Sequence, residues 1–346
     1  MKNKSSSSNL LVVGSVAFDS IETPFGKVNK ALGGSASYFS LAASFFARPS
    51  LVGAVGNDLT DKYRTPLQKH NIDLSGMEQV DGKTFAWGGK YSFDLNNRTT
   101  LFTKLGVFKQ FKPKLSQAHK SSDYVFLGNI HPALQLEVLA QINKPKLVGL
   151  DTMNLWIETA PKLLAEVLKK IDIFIINDSE AREFSGEHNL IKAAKKIMRM
   201  MEAISPRPSP HKGREKTLII KRGEYGLLMF QQSSKKIAAS PAKALAPRND
   251  TNGLSIFHLP GYPLEDVIDP TGAGDSFAGG FMGYLCREGS RPFPTFKHLK
   301  RACVYGSVMA SFCCEQMGTE RLQSLLQADI KARYGKFKKM TEFELD

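Results

Sequence analysis

Apolar residues in this chain come in short unbroken runs, and stretches with helical spacing separate them. Leu10–Ala17 is such a run and predicts a buried strand that leads to Asp19. Residues 21–32 are half polar and are punctuated by Pro24 and Gly26, which suits a hairpin outside the main core. Gly33–Gly34 then opens a helix over about Ser35–Ala47 that is apolar on nearly every side, so it is expected to be buried. Leu51–Val55 predicts a short strand, and Leu59–His70 a polar helix. Thr84–Phe93 and Thr99–Thr103 are β-rich and flank the turn Asn96–Asn97, a second exposed hairpin. Segments near 20–34 and 84–104 together predict a small sheet standing off the main body as a lid.

From there strands and helices alternate. Tyr124–Leu127, Leu147–Leu150, Ile173–Ile176 and Thr217–Lys221 read as strands, and helical patterns cover Ala133–Ile142, Glu158–Lys169, Asp178–Phe184 and Leu190–Ala203. This alternation predicts an α/β fold with a mostly parallel sheet flanked by helices. In such sheets ligands gather beyond the carboxyl ends of the strands. Asp19, Asp151, Asn177 and Lys221 all fall at expected strand ends. Residues 205–216 and 233–253 are rich in Pro, Lys, Ala and Ser without apolar periodicity and read as surface insertions in a single domain spanning 1–346.

Composition narrows the class. With 346 residues, 42% of them hydrophobic and 23% charged, the chain can bury a sizeable core. No apolar run approaches the roughly 18 residues of a membrane span, so no membrane role is expected. The four cysteines form no CxxC pair, which disfavours zinc and points to reduced thiols and a cytoplasmic location. The net charge of +14 is scattered, with clusters at Lys109–Lys120, Arg207–Lys216 and Lys331–Lys339. No nucleic-acid module accompanies them. A surface that attracts phosphorylated small ligands is expected instead, with no nucleic-acid partner.

The densest chemistry lies in Asp269-Pro270-Thr271-Gly272-Ala273-Gly274-Asp275-Ser276-Phe277 and the small residues that follow. An expected strand, Glu265–Ile268, runs into a glycine-rich turn and then a helix reaching about Cys286. Glycines admit close approach of an anion, and a helix N-terminus offers free N–H groups and a positive dipole end. A carboxylate beside such an anion hole is a pairing that phosphoryl transfer can use. The plainer reading is a tight turn with Asp275 as a helix cap.

The whole string resembles the C-terminal signature of the pfkB, or ribokinase-like, carbohydrate kinases. Gly33-Gly34-Ser35-Ala36 resembles that family's N-terminal double glycine, Asn177-Asp178-Ser179-Glu180 its N-x-x-E motif, and Lys221–Gly226 the turn bordering its nucleotide site. No P-loop GxxxxGK[ST] is present. The resemblance implies a ribokinase-like fold and transfer of phosphate from ATP to a hydroxyl of a sugar or sugar-containing small molecule. It implies Asp275 as catalytic base, with Gly272, Ala273 and Gly274 as the anion hole. Asn177 and Glu180 are implied to organise Mg²⁺ through water, and Lys221, Gly223 and Gly226 to line the nucleotide. Asp269 and Thr271 match positions that hold a monovalent cation such as K⁺. Asp19, Gly33 and Gly34 are implied to hold the acceptor. Where many members carry Asn after the double glycine this chain has Tyr38 or Phe39, and Asp151-Thr152-Met153-Asn154-Leu155-Trp156 replaces an Asp-x-Asn-x-Arg string. Tyr38, Asn154 and Trp156 are therefore expected to shape the acceptor pocket, which keeps a nucleoside kinase open beside a sugar kinase. A non-catalytic sensor on the same fold is the other rival. By analogy with such folds, an exposed lid face suits a homodimer.

Overall fold

The computed structural model describes residues 9–202, 215–232, 254–289 and 293–342. Nine strands form the main sheet: β1 (Leu10–Val13), β4 (Pro49–Val55), β5 (Asp73–Gln79), β8 (Tyr124–Leu127), β9 (Leu147–Asp151), β10 (Ile173–Asn177), β11 (Thr217–Lys221), β12 (Leu227–Gln232) and β13 (Leu254–Leu259). Their order is β13-β12-β11-β10-β9-β8-β1-β4-β5. All neighbours from β5 to β11 run parallel, and β12 and β13 close the edge antiparallel. A second, four-stranded sheet has the order β3-β2-β6-β7, built from β2 (Ala17–Thr23), β3 (Gly26–Gly33), β6 (Phe85–Tyr91) and β7 (Arg98–Lys104).

The central strands are apolar throughout because both faces of the main sheet are covered. Leu10, Val12, Phe126, Ile173, Ile175 and Ile219 point to one core, with the helices Ser35–Ser44, Ala273–Glu288 and Phe296–Cys313. Leu11, Val13, Val125, Phe174, Ile176 and Ile220 point to the other, with Pro132–Gln141, Pro161–Leu168 and Leu190–Glu202. Such period-two partition of continuous apolar runs is what strands buried on both sides require.

Several expectations change. Leu10–Ala17 is not one strand: β1 stops at Val13, the chain crosses at Gly14–Val16, and Asp19 lies inside β2 of the small sheet. Both strands are buried where they meet, so the apolar run hides the break; only Gly14, whose missing side chain leaves room for Ser35 Oγ and Ala36, marks it. Glu265–Ile268 forms no strand, because the Ile268 and Asp269 N–H groups donate to the Cys314 carbonyl (2.8 and 3.2 Å) rather than to a ladder. Residues 233–253 and most of 205–216 lie outside the described residues. Lys216, counted within the first insertion, is buried, and its Nζ donates to the Ile171 carbonyl. β5, β12 and the helices Phe296–Cys313 and Gln327–Thr341 extend the fold beyond the elements read from periodicity.

The helix Ala273–Glu288 packs on Ser35–Ser44 through glycine. A Cβ at Gly279 would collide with the Phe39 carbonyl oxygen, and one at Gly283 would sit 3.0 Å from that of Ala43. Gly279→Ala should therefore destabilise by about 1–3 kcal/mol through overpacking, although alanine is the better helix former. Gly335→Ala, in the helix Gln327–Thr341 with nothing within 4 Å of the new Cβ, should be neutral or stabilising. Thermal melts of the two variants test the contrast, and a Gly279→Ala protein that melts like Gly335→Ala would contradict the close helix contact.

Candidate active site

Three strand ends and one helix start converge. β9 ends at Asp151, β10 at Asn177 and β11 at Lys221, and Asp275 stands in the first turn of the helix Ala273–Glu288. Gly272, in the left-handed region at φ 75°, caps that helix. The Tyr38 ring packs where a Gly272 side chain would be, and Lys221 Nζ would lie 2.7 Å from a Cβ at Gly274. Glycine at both positions thus admits a ring on one side of the turn and an ammonium on the other.

The free N–H groups of this turn are not the three that the sequence suggests. The Ala273 N–H donates to the Pro270 carbonyl at 3.1 Å, closing the turn. The N–H groups of Gly272, Gly274 and Asp275 donate to no acceptor among the described residues, which leaves these three for a ligand.

Charge is concentrated around Lys221. Its Nζ lies 3.4 Å from Asp151 Oδ2, and Asp151 is almost fully buried. Burial disfavours the Lys221 ammonium, but Asp151, Glu180 and Asp275 outweigh that and leave its pKa raised. Burial pushes the Asp275 carboxyl up to about 7, with Asp151 adding to the shift and Lys221 opposing it. Glu180 is also pushed up to about 7, first by burial and then by Asp151. Three carboxyl groups around one ammonium leave an excess of negative charge in a desolvated place.

Asn177 and Glu180 form a capping box: Asn177 Oδ1 accepts from the Glu180 N–H at 2.8 Å, and Glu180 Oε2 accepts from the Asn177 N–H at 3.0 Å. The motif therefore has a structural role in starting the helix Asp178–Ser185. Glu180 nonetheless faces Asp151 and Lys221. Among the described residues no three His, Cys, Asp or Glu side chains converge as a protein-only metal cage. Unmet negative charge without a cage fits Mg²⁺, which keeps much of its water.

Asp19, the residue expected on the acceptor side, is held by the double glycine. Its carboxylate lies where a Gly33 side chain would be, accepts the Gly34 N–H, and is pushed up to about 7 by burial. Asp269, also raised by burial, accepts from the N–H groups of Thr271 and Gly318, both at 2.8 Å. The Thr271 carbonyl accepts from Cys313 Sγ at 3.3 Å. Despite these donors the burial of Asp269 leaves a demand for positive charge, which a K⁺ ion beside it would meet.

Other expected residues take different places. Tyr38 is 1% exposed and lies behind the Gly272 turn, not in the pocket. Asn154 is exposed, and its side chain makes no hydrogen bond among the described residues. Trp156 Nε1 donates to Asn129 Oδ1 at 2.9 Å, and the ring meets His131 edge-on. Gly223 sits in a turn facing Asn96 of the small sheet's hairpin, while Gly226 is forced by the Leu259 carbonyl against its Cα.

Sequence reasoning missed the small sheet's contribution. Tyr91 of β6 accepts from Thr271 Oγ1 at 3.0 Å. Arg98 of β7 is near enough that its charge opposes the raised pKa values of Asp19, Glu180 and Asp275. Asn96 Nδ2 reaches Glu224 Oε1 at 3.4 Å, so the hairpin spans the cleft. Hairpin residues carry no motif, so no spacing in the sequence marks them.

A doubly covered parallel sheet whose Asp275 turn meets a small four-stranded sheet is the frame of a phosphotransferase, a sugar or nucleoside kinase by its likeness to known proteins. The chain belongs to the pfkB family of carbohydrate kinases, which it matches over residues 7–324. It is 27% identical over 282 residues to a cytidine kinase of Thermococcus kodakarensis, covering 80% of this chain and 88% of that protein. The fold is shared with a ribokinase of Giardia lamblia (TM-score 0.72, 20% identity, 96% of this chain and 100% of the other). It is also shared with a Burkholderia thailandensis nucleoside kinase in complex with inosine (TM-score 0.69, 17% identity, 94% and 97%). Among the described residues no helix is long and apolar enough to cross a membrane.

The raised carboxyl groups fix a pH dependence. A carboxyl with a raised pKa holds its proton in the folded chain where the unfolded chain has lost it. Its contribution to stability therefore falls as pH rises from the ordinary carboxylate range to about 7, and the penalty is complete above that. Asp275→Asn removes this penalty. The variant should melt above the wild type at pH 8 and close to it at pH 4.5, and an equal difference at both pH values would show that Asp275 ionises normally.

Proposed function

We propose that this protein transfers the γ-phosphoryl group of ATP to a hydroxyl of a sugar or of the sugar part of a nucleoside, with Asp275 as general base. The observation that carries the reading is Asp275 itself: a half-buried carboxyl that accepts no hydrogen bond among the described residues, raised to about 7, one turn inside the helix whose free N–H groups face the same space. A pKa near the working pH lets a carboxylate take a proton and give it up again.

The roles follow from position. Asp19 accepts bonds from acceptor hydroxyls, and the small residues Gly33 and Gly34 keep the backbone beside them close. Asp275 takes the proton of the attacking hydroxyl. The N–H groups of Gly272, Gly274 and Asp275 receive the transferring phosphoryl oxygens, with Ala273 holding the turn closed. Lys221, held by Asp151, presents its ammonium beneath Gly274, where it stabilises phosphate charge. Gly223 and Gly226 shape the turn that borders the nucleotide. Asn177 and Glu180 would hold Mg²⁺ through water, and that ion, when bound, neutralises charge on the phosphates. A monovalent cation such as K⁺ beside Asp269 and Thr271 would steady the same turn. Arg98 adds positive charge from above and the bridging hairpin limits water access.

Asp275→Asn should lower turnover by about 10²–10⁴-fold, the usual size of a general-base contribution, while nucleotide affinity stays the same or rises. Retention of half the wild-type turnover with a confirmed acceptor would remove Asp275 from the role of base. Glu180→Gln should raise the Mg²⁺ concentration needed for half-maximal rate without lowering the melting temperature, and an unchanged Mg²⁺ dependence would leave Glu180 with only its capping role.

A further inference from the structure

We propose that Trp87 is the platform on which a planar group of the acceptor stacks, so that this chain selects a nucleoside over a free sugar. The proposal rests on the kinase reading above and adds the residue that chooses its acceptor.

β6 runs parallel to β2 with Trp87 in register with Asp19, so the two side chains leave the small sheet on the same face. Tyr91, of the same parity, confirms the face by bonding Thr271 in the anion-hole turn. The backbone of Trp87 thus runs one strand spacing, about 4.8 Å, from that of Asp19, the residue assigned to the acceptor hydroxyls. A nucleoside places its base a few bonds from its ribose diol, which is the same order of separation. A free pentose has nothing to put there.

The ring is laid flat by a glycine. A Cβ at Gly89 would collide with the six-membered ring of Trp87, so only glycine lets the indole lie along the strand instead of standing away from it. Trp87 is half-buried, with one face on the backbone of β6. Over the ring lies the guanidinium of Arg98, 5.1 Å from the centroid. Arg98 is exposed and comes from β7 across the hairpin. A guanidinium is flat and cationic, and it stacks on aromatic faces as a heteroaromatic base does. The acceptor's base would take this position and release Arg98 toward the carboxyl groups of Asp19, Glu180 and Asp275, whose field it already feels. The other tryptophan does not compete for this role, because Trp156 is tied to Asn129 and His131 beyond β8 and β9.

The chain has two tryptophans, so Trp156→Phe leaves Trp87 as the only one, with a thermal melt to confirm folding. Titration of that protein with cytidine, adenosine, inosine and ribose reads the stack directly: at least one nucleoside should quench the Trp87 emission saturably, and ribose should not. In steady-state kinetics Trp87→Ala should raise KM for that nucleoside on the order of 10- to 100-fold, as loss of one base–aromatic stack does, with KM for ATP little changed. Trp87→Phe should restore most of the loss, and Gly89→Val, which lifts the ring, should reproduce it. Nucleoside turnover that is indifferent to Trp87→Ala, or equal losses for ribose and nucleoside, would overturn the platform and leave the kinase reading standing. Saturable quenching by a nucleoside without phosphate transfer would support the platform and overturn the kinase reading. Quenching by ribose alone, or by nothing, would overturn the platform.

Discussion

One ammonium held among three carboxyl groups is the constraint on which the site depends. Lys221 stays charged in a desolvated place because Asp151, Glu180 and Asp275 surround it, and Glu180 and Asp275 are raised first by their burial and then by the neighbouring Asp151, against the pull of Lys221. Each sits where the fold delivers it: Asp151 and Lys221 at the ends of β9 and β11, Glu180 in the first turn of the helix that follows β10, and Asp275 in the first turn of Ala273–Glu288. A parallel sheet with both faces covered brings such ends together at one rim. The imbalance is costly for the empty protein and would be relieved by a partner that brings cations, as the proposed Mg²⁺-bearing nucleotide does.

The small sheet supplies what the main sheet cannot. The rim of β9–β11 gathers the charged groups Asp151 and Lys221, with no aromatic side chain at its strand ends. Asp19, Trp87, Tyr91 and Arg98 come from three strands that share one face above the rim. The outer face of the same strands carries a different set, with Glu22 bridging Lys27 and Lys90 at 3.3 and 2.6 Å. Alternation along a strand thus divides recognition from solvation residue by residue.

Motifs with local physics were legible in the sequence. The turn Gly272–Asp275, the double glycine and the pair Asn177–Glu180 each depend on neighbours within a few positions, and each stands at the rim of the fold. The strand ends at Asp151, Asn177 and Lys221 followed from apolar runs that stop abruptly. Contacts between distant segments were not legible. Asp19 was read at the end of β1 because two buried strands of different sheets make one apolar run. Tyr38 was read as pocket-lining, since no local pattern shows that Gly272 leaves space for its ring. Arg98 and Trp87 lie in ordinary hairpin sequence, and only the register of β2, β6 and β7 gives them a task.

The glycine contact between the helices Ala273–Glu288 and Ser35–Ser44 has a consequence for motion. One helix begins at the Gly272 turn that carries Asp275, and the other begins at Gly34, whose N–H holds Asp19. Backbone resting on backbone leaves no side-chain layer to slide, so these two starting points ride on a single rigid body. The spacing between the Asp275 turn and the backbone that holds Asp19 is therefore set once, when the chain folds, and does not wait for a ligand.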